Sequence, residues 1–189
     1  DLIHQGIKKI FYPCIPYNMK DTMNPSDNHY NCTVVASYAE NIRANMDILR
    51  TENIQFMQPF LPMDDRLRLI TRLTEEFVIE HISKKEILSA VDAAYIELEK
   101  YKKAIRVEGL KILEQIETEN LHGIVLAGRP YHLDPEINHG IAEMIQSYGL
   151  AVLSEDVIYH LHVEPEKLQI MNQWSYHARL YHAASYVAA

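Results

Sequence analysis

The run Gly123-Ile-Val-Leu-Ala-Gly128 is the feature that most constrains this chain. An unbroken apolar stretch between two glycines reads as a β-strand covered on both faces, the pattern of a parallel sheet. A loop comes next, and then Asp134-Pro135-Glu136. Asp at the N-cap, Pro at the first helical position and Glu in the first turn mark a helix start. That helix is expected to reach Tyr148 and stop at Gly149, and Leu150-Ala-Val-Leu153 is a further strand.

The alternation holds elsewhere. Residues 7–15 form a β-branched and aromatic strand ending at Pro13 and Pro16, and 16–31, with Asn-Pro-Ser-Asp-Asn at 24–28, is a loop. Val34, Val35, Tyr38, Ile42 and Met46 carry helical spacing over 33–50, with Cys32 at or just before its N-terminus. Ile54 to Phe60 is a short strand closed by Pro59 and Pro62. Asp64 and Asp65 precede a helix to about 81, with Leu67, Ile70, Leu73, Phe77 and Ile82 as its apolar stripe. Ser83-Lys-Lys-Glu86 has capping-box form and opens a long helix to about 118, which Gly109 weakens. Glu164-Pro165-Glu166 opens a last helix.

Strands separated by helices predict an α/β fold: a three-layer, mainly parallel sheet with helices on both faces, Rossmann-like or flavodoxin-like, plus a long helical insertion over about 65–118. The 189 residues suit a single domain, 1–189, and both ends read as cuts within a longer protein. Parallel sheets bind ligands beyond the C-terminal ends of their strands. Function is therefore expected in 13–32, 58–65 and 128–135.

A net charge of −8 opposes a broad nucleic-acid footprint. The basic stretch Lys100 to Arg106 lies among glutamates and reads as a solvated helix face. No apolar run is long enough to span a bilayer, and no signal peptide is evident, so the expected location is cytoplasmic. Two cysteines are too few for a disulfide scaffold.

Those two thiols are the first candidates for chemistry. Cys14 ends a strand and Cys32 begins a helix, whose dipole favours a thiolate. They read either as structural cysteines or as metal or cluster ligands, and the second reading needs further ligands. The next candidate is Gly128-Arg-Pro-Tyr-His-Leu-Asp134. Gly128 permits close backbone approach, Arg129 suits a phosphate or carboxylate, the helix after Asp134 offers amides, and His132 can move a proton. The alternative is an ordinary loop whose Arg pairs with a local Glu. Without a G-x-x-x-x-G-K-[ST] string, ATP hydrolysis by that route is not expected. His139 falls near the start of the helix and can face the same crevice; His160 and His162, like His177 and His182, read as surface or packing histidines. Trp174, Tyr176, Tyr181 and Tyr186 read as core and interface packing.

Three segments carry a resemblance: Phe11-Tyr-Pro-Cys-Ile-Pro16; Cys32-Thr-Val-Val-Ala-Ser-Tyr-Ala-Glu-Asn-Ile-Arg-Ala-Asn45; and Gly123-Ile-Val-Leu-Ala-Gly-Arg-Pro-Tyr-His-Leu-Asp-Pro-Glu-Ile-Asn-His139. They resemble the activase-related domain of large acyl-CoA dehydratase activators, of the 2-hydroxyglutaryl-CoA dehydratase system, from about residue 7 to the end. In that system an ATPase activator carrying a [4Fe-4S] cluster delivers a low-potential electron. The dehydratase, which also carries clusters, removes water from a 2-hydroxyacyl-CoA through a ketyl radical. The resemblance implies an electron-transfer or regulatory domain with Cys14 and Cys32 towards a [4Fe-4S] cluster, and Arg129 and the helix after Asp134 towards an anionic group. It also implies ATPase activator domains as partners. Thr33 and Ala39 stand where the pattern has proline, and no third cysteine is present. A docking module for ATPase domains, and an acyl-CoA binding domain using His132 or His139 as acid or base, are the alternatives.

Overall fold

In the computed structural model, residues 1–23, 26–161 and 168–189 are described. The helix start expected at Glu164-Pro165-Glu166, His162 and part of the 24–28 turn lie outside them. Contacts divide the chain into two units: Asp1–Lys20 with Asn28–Ala93, and Asp21–Asp27 with Ala94–Ala189.

The first unit is built on β1 (Lys9–Phe11) and β2 (Gln55–Met57), paired in parallel with Ile10 opposite Phe56. Pro13 has no N–H to give a ladder, and regular pairing stops there. It resumes for one step, where Cys14 bridges Phe60: the Cys14 amide donates to the Pro59 carbonyl (2.9 Å) and the Leu61 amide to the Cys14 carbonyl (2.9 Å). The expected helix over 33–50 is three short ones, α1 (Thr33–Ala36), α2 (Tyr38–Asn45) and α3 (Ile48–Thr51). The first break falls at Ser37, whose hydroxyl donates to the Val34 carbonyl, a local bond that competes with helix continuation.

The helix α4 (Arg66–Glu76) starts at Asp65, whose carboxylate accepts from the Leu67 and Arg68 amides (both 3.0 Å). It ends earlier than expected, and its buried residues are Leu69 and Ile70; Leu67, expected in the stripe, is 72% exposed. Ser83 and Glu86 cap one another at the start of α5 (Lys84–Thr118), as the sequence predicts.

The second unit repeats the strand–helix–strand plan. The pair β3 (Gly123–Leu126) and β4 (Ala151–Ser154) is parallel, with Val125 opposite Leu153. Ile105, Ile112, Leu113 and Ile116 of α5 share one face and pack on a core of Leu153, Val157, Ile158, Tyr159 and Ala183. Gly109 lies on that helix because a Cβ there would fall 2.5 Å from the Val157 Cβ. Its role is close approach, and the helix runs through it unbroken.

The helix expected from Asp134 to Tyr148 is divided. A 3-10 turn (Pro130–Leu133) leads into α6 (Pro135–Asn138), then α7 (Ile141–Ser147), with left-handed His139 and Gly140 between them. Gly149, also left-handed, stops α7 as expected. The last helix is α8 (Ser175–Ala188).

The chain is thus mixed α/β, with short parallel strand pairs and one long helix. Among the described residues each sheet has two strands, so the expected three-layer sheet is not what these pairs form. β3 is not covered on both faces along its length: Gly123 and Ile124 are exposed, and only Val125 and Leu126 are half-buried. No described helix is long and apolar enough to cross a membrane.

Candidate functional site

The second unit gathers polar side chains where its parallel strands end. Just past β4, the tight 3-10 turn Glu155–Val157 directs Glu155 inward, to 4% exposure. An isolated buried carboxylate is costly, and here Arg179 of α8 meets it with both arms: Nη2 donates at 2.9 Å and Nε at 3.1 Å. The Arg179 guanidinium also lies over the rings of Tyr159 (4.6 Å) and Tyr176 (4.9 Å). Tyr159 donates its hydroxyl to Asp21 (2.6 Å) and accepts from Arg106 (3.0 Å). Arg106 thereby leaves the solvated face on which the Lys100–Arg106 stretch was expected.

Burial sets the acid–base character of this cluster. It pushes the Glu155 carboxyl up to about 7, against the attraction of Arg179, and Asp156 adds to the rise. It likewise pushes Tyr159 up to about 12, with help from the Asp21 bond. Asp21 shows the reverse: burial opposes its ionisation, but the Tyr159 hydroxyl, the Met23 amide, Lys102 and Arg106 together hold it below the usual carboxylate range. Burial pushes His160, beside Tyr159, down. Near neutrality Arg106 thus faces Asp21, and Arg179 faces a partly protonated Glu155.

Arg129 comes after β3 and lies over the Tyr176 ring, 5.4 Å from its centroid. Its backbone amide donates to His132 Nδ1 (3.0 Å), which leaves Nε2 to carry the proton of a neutral ring. Gly128 makes this possible, since a Cβ there would fall 2.5 Å from His132 Nδ1. The close approach expected at Gly128 is therefore made by the protein's own imidazole. Asp134 caps α6 by accepting from the Glu136 amide (2.9 Å), so a carboxylate already occupies that helix start. His139 is exposed at the left-handed break. Gly128, Arg129 and His132 are brought together; Asp134 and His139 serve the next turn.

Cys14 and Cys32 lie in the first unit, and no disulfide joins them. Cys32 is the N-cap residue of α1. Cys14 is 1% exposed, and burial pushes its thiol up, although the Glu40 amide donates to it. A [4Fe-4S] cluster is held by thiolates, typically four. Among the described residues no group of three or more His, Cys, Asp or Glu is placed to hold a metal ion. Two thiols, one of them disfavoured as thiolate, do not fit a cluster, and the expected iron–sulfur site is without support here.

Sequence patterns alone do not single out Glu155, Arg179, Tyr159 or Asp21. The usable signal is Ser154-Glu155-Asp156 directly after a strand, a fourth strand-end segment, and the Tyr176/Arg179 spacing on one helix.

Residues 1–158 match the family model described as CoA enzyme activase uncharacterised domain. The match ends before α8. No curated protein and no solved structure matches the chain.

Proposed function

The chain belongs to this CoA enzyme activase domain family, and from that premise we propose that it is a regulatory binding module that takes the anionic part of a CoA-type ligand at the strand ends of its second unit. Arg129 carries the reading. Among the described residues it forms no ion pair, whereas Arg106 and Arg179 face Asp21 and Glu155. With its planar face on Tyr176, its N–H edge is left for a phosphate or carboxylate.

An activase domain acts on a companion enzyme, and ATPase activator domains are the partners this reading assigns to it. The electron-transfer alternative rests on Cys14 and Cys32 and asks for ligands beyond the described residues. Acid–base catalysis by His132 or His139 has less behind it, because His132 Nδ1 is already engaged with the Arg129 amide.

Calorimetric titration with CoA tests the proposal. Saturable binding should weaken about tenfold or more in Arg129→Ala, the loss of a charge-assisted contact of about 1.5–3 kcal/mol. It should also weaken as salt rises. An unchanged affinity in the variant, or no heat with the wild-type chain, overturns it.

A further inference from the structure

A cavity of about 390 Å³ opens beside the start of α8, lined by Ile170, Met171, Asn172, Gln173, Trp174, His177 and Tyr181. Its size falls in the range of small-molecule sites. His177 and Tyr181 lie one turn apart on α8 and Trp174 is its N-cap residue, so three flat rings line the cavity at the start of that helix. Among the described residues, none that lines it is Asp, Glu, Lys or Arg. The site is built for an uncharged group, unlike the cluster around Arg129.

Two lining residues hold polar capacity that the protein does not use. Asn172 Oδ1 and His177 Nδ1 are buried and make no hydrogen bond among the described residues. Buried polar atoms are nearly always paired, and each exception asks for a partner. A carboxamide oxygen wants a donor. Asn and Gln side chains pair with the N6 amino group and N7 of adenine, and aromatic rings stack on any base.

From this we infer that the cavity binds a planar, uncharged heteroaromatic ring bearing an exocyclic amino group, as an adenine base does, stacked on Trp174 and Tyr181 and hydrogen-bonded by Asn172. The site is separate in composition from the Arg129 cluster and stands or falls without it.

Trp174 is the chain's single tryptophan, so its emission reports the cavity directly. Adenosine, which has no phosphate, is the probe. Saturable quenching by adenosine is expected, with about tenfold weaker binding in Tyr181→Ala, the loss of one stacked ring. Inosine, which lacks the amino group, should bind the unaltered protein about tenfold more weakly, a comparison that needs no folded variant. Arg129→Ala should leave adenosine binding unchanged. No saturable change up to millimolar adenosine, or equal binding of inosine, overturns the inference. CoA binding lost in Arg129→Ala without an adenosine response would leave the anion reading standing alone. An adenosine response beside CoA binding indifferent to Arg129→Ala would do the converse.

Discussion

The two parallel strand pairs have the same plan and differ in the residues that succeed each strand. After β1 and β2 come prolines and Cys14, and the backbone closes on itself through the Cys14–Phe60 bridge. Among the described residues the buried side chains of that unit are apolar, Ala39, Leu49, Ile54, Leu61, Leu69 and Ile70 among them. After β3 and β4 come Gly128-Arg129 and Glu155-Asp156, and the strand ends carry charge. A parallel pair places both its C-terminal ends on one edge. Whether that edge becomes core or site is decided by the few residues after each strand.

Glu155→Ala presses this difference hardest. It leaves Arg179 buried without its carboxylate, and a loss of about 3–5 kcal/mol is expected, read as a fall in the urea midpoint. Gly109→Ala comes next. The added methyl meets Val157, so about 1–3 kcal/mol should be lost despite the better helix propensity of alanine, and thermal unfolding shows the sign. In the first unit Cys14→Ala should cost only about 1 kcal/mol, because Cys14 packs as a small apolar side chain. A Cys14 cost matching that of Glu155 would end the contrast between the two edges.

A dependence on pH tests the charged edge without removing a side chain. The folded Glu155 carboxyl, at about 7, lies above its ordinary 4.5, so folding favours its protonated form. Its contribution is fully present below about 4.5 and is lost as pH rises through about 7. Urea midpoints across this window should fall with rising pH in the parent and flatten in Glu155→Gln. A parent slope retained in Glu155→Gln would assign the titration to another group.

What could be read from the sequence was local. The Ser83/Glu86 capping box, the β3 and β4 strands and the Gly149 stop each rest on a few adjacent residues. The breaks at Ser37 and at His139-Gly140 escaped because apolar periodicity runs through both, and Leu67 satisfied a helical period without being needed in the core. The Glu155–Arg179 pair joins residues 24 apart, and Asp21 meets Tyr159 across 138. No spacing rule brings such partners together. Arg129 could be named from its place after a strand, while the tyrosine beneath it comes from α8.

That long-range contact has a consequence for the order of events during synthesis. Asp21 to Asp27 is interrupted from the rest of its unit by residues 28–93, and its partners Arg106, Tyr159 and Asn172 are translated later. At ribosomal rates of about 5–20 residues per second, roughly 7–30 s separate Asp21 from Tyr159. Through that interval an early acidic segment waits for a late hydroxyl, so the site around Tyr159 cannot close until that later segment has been made.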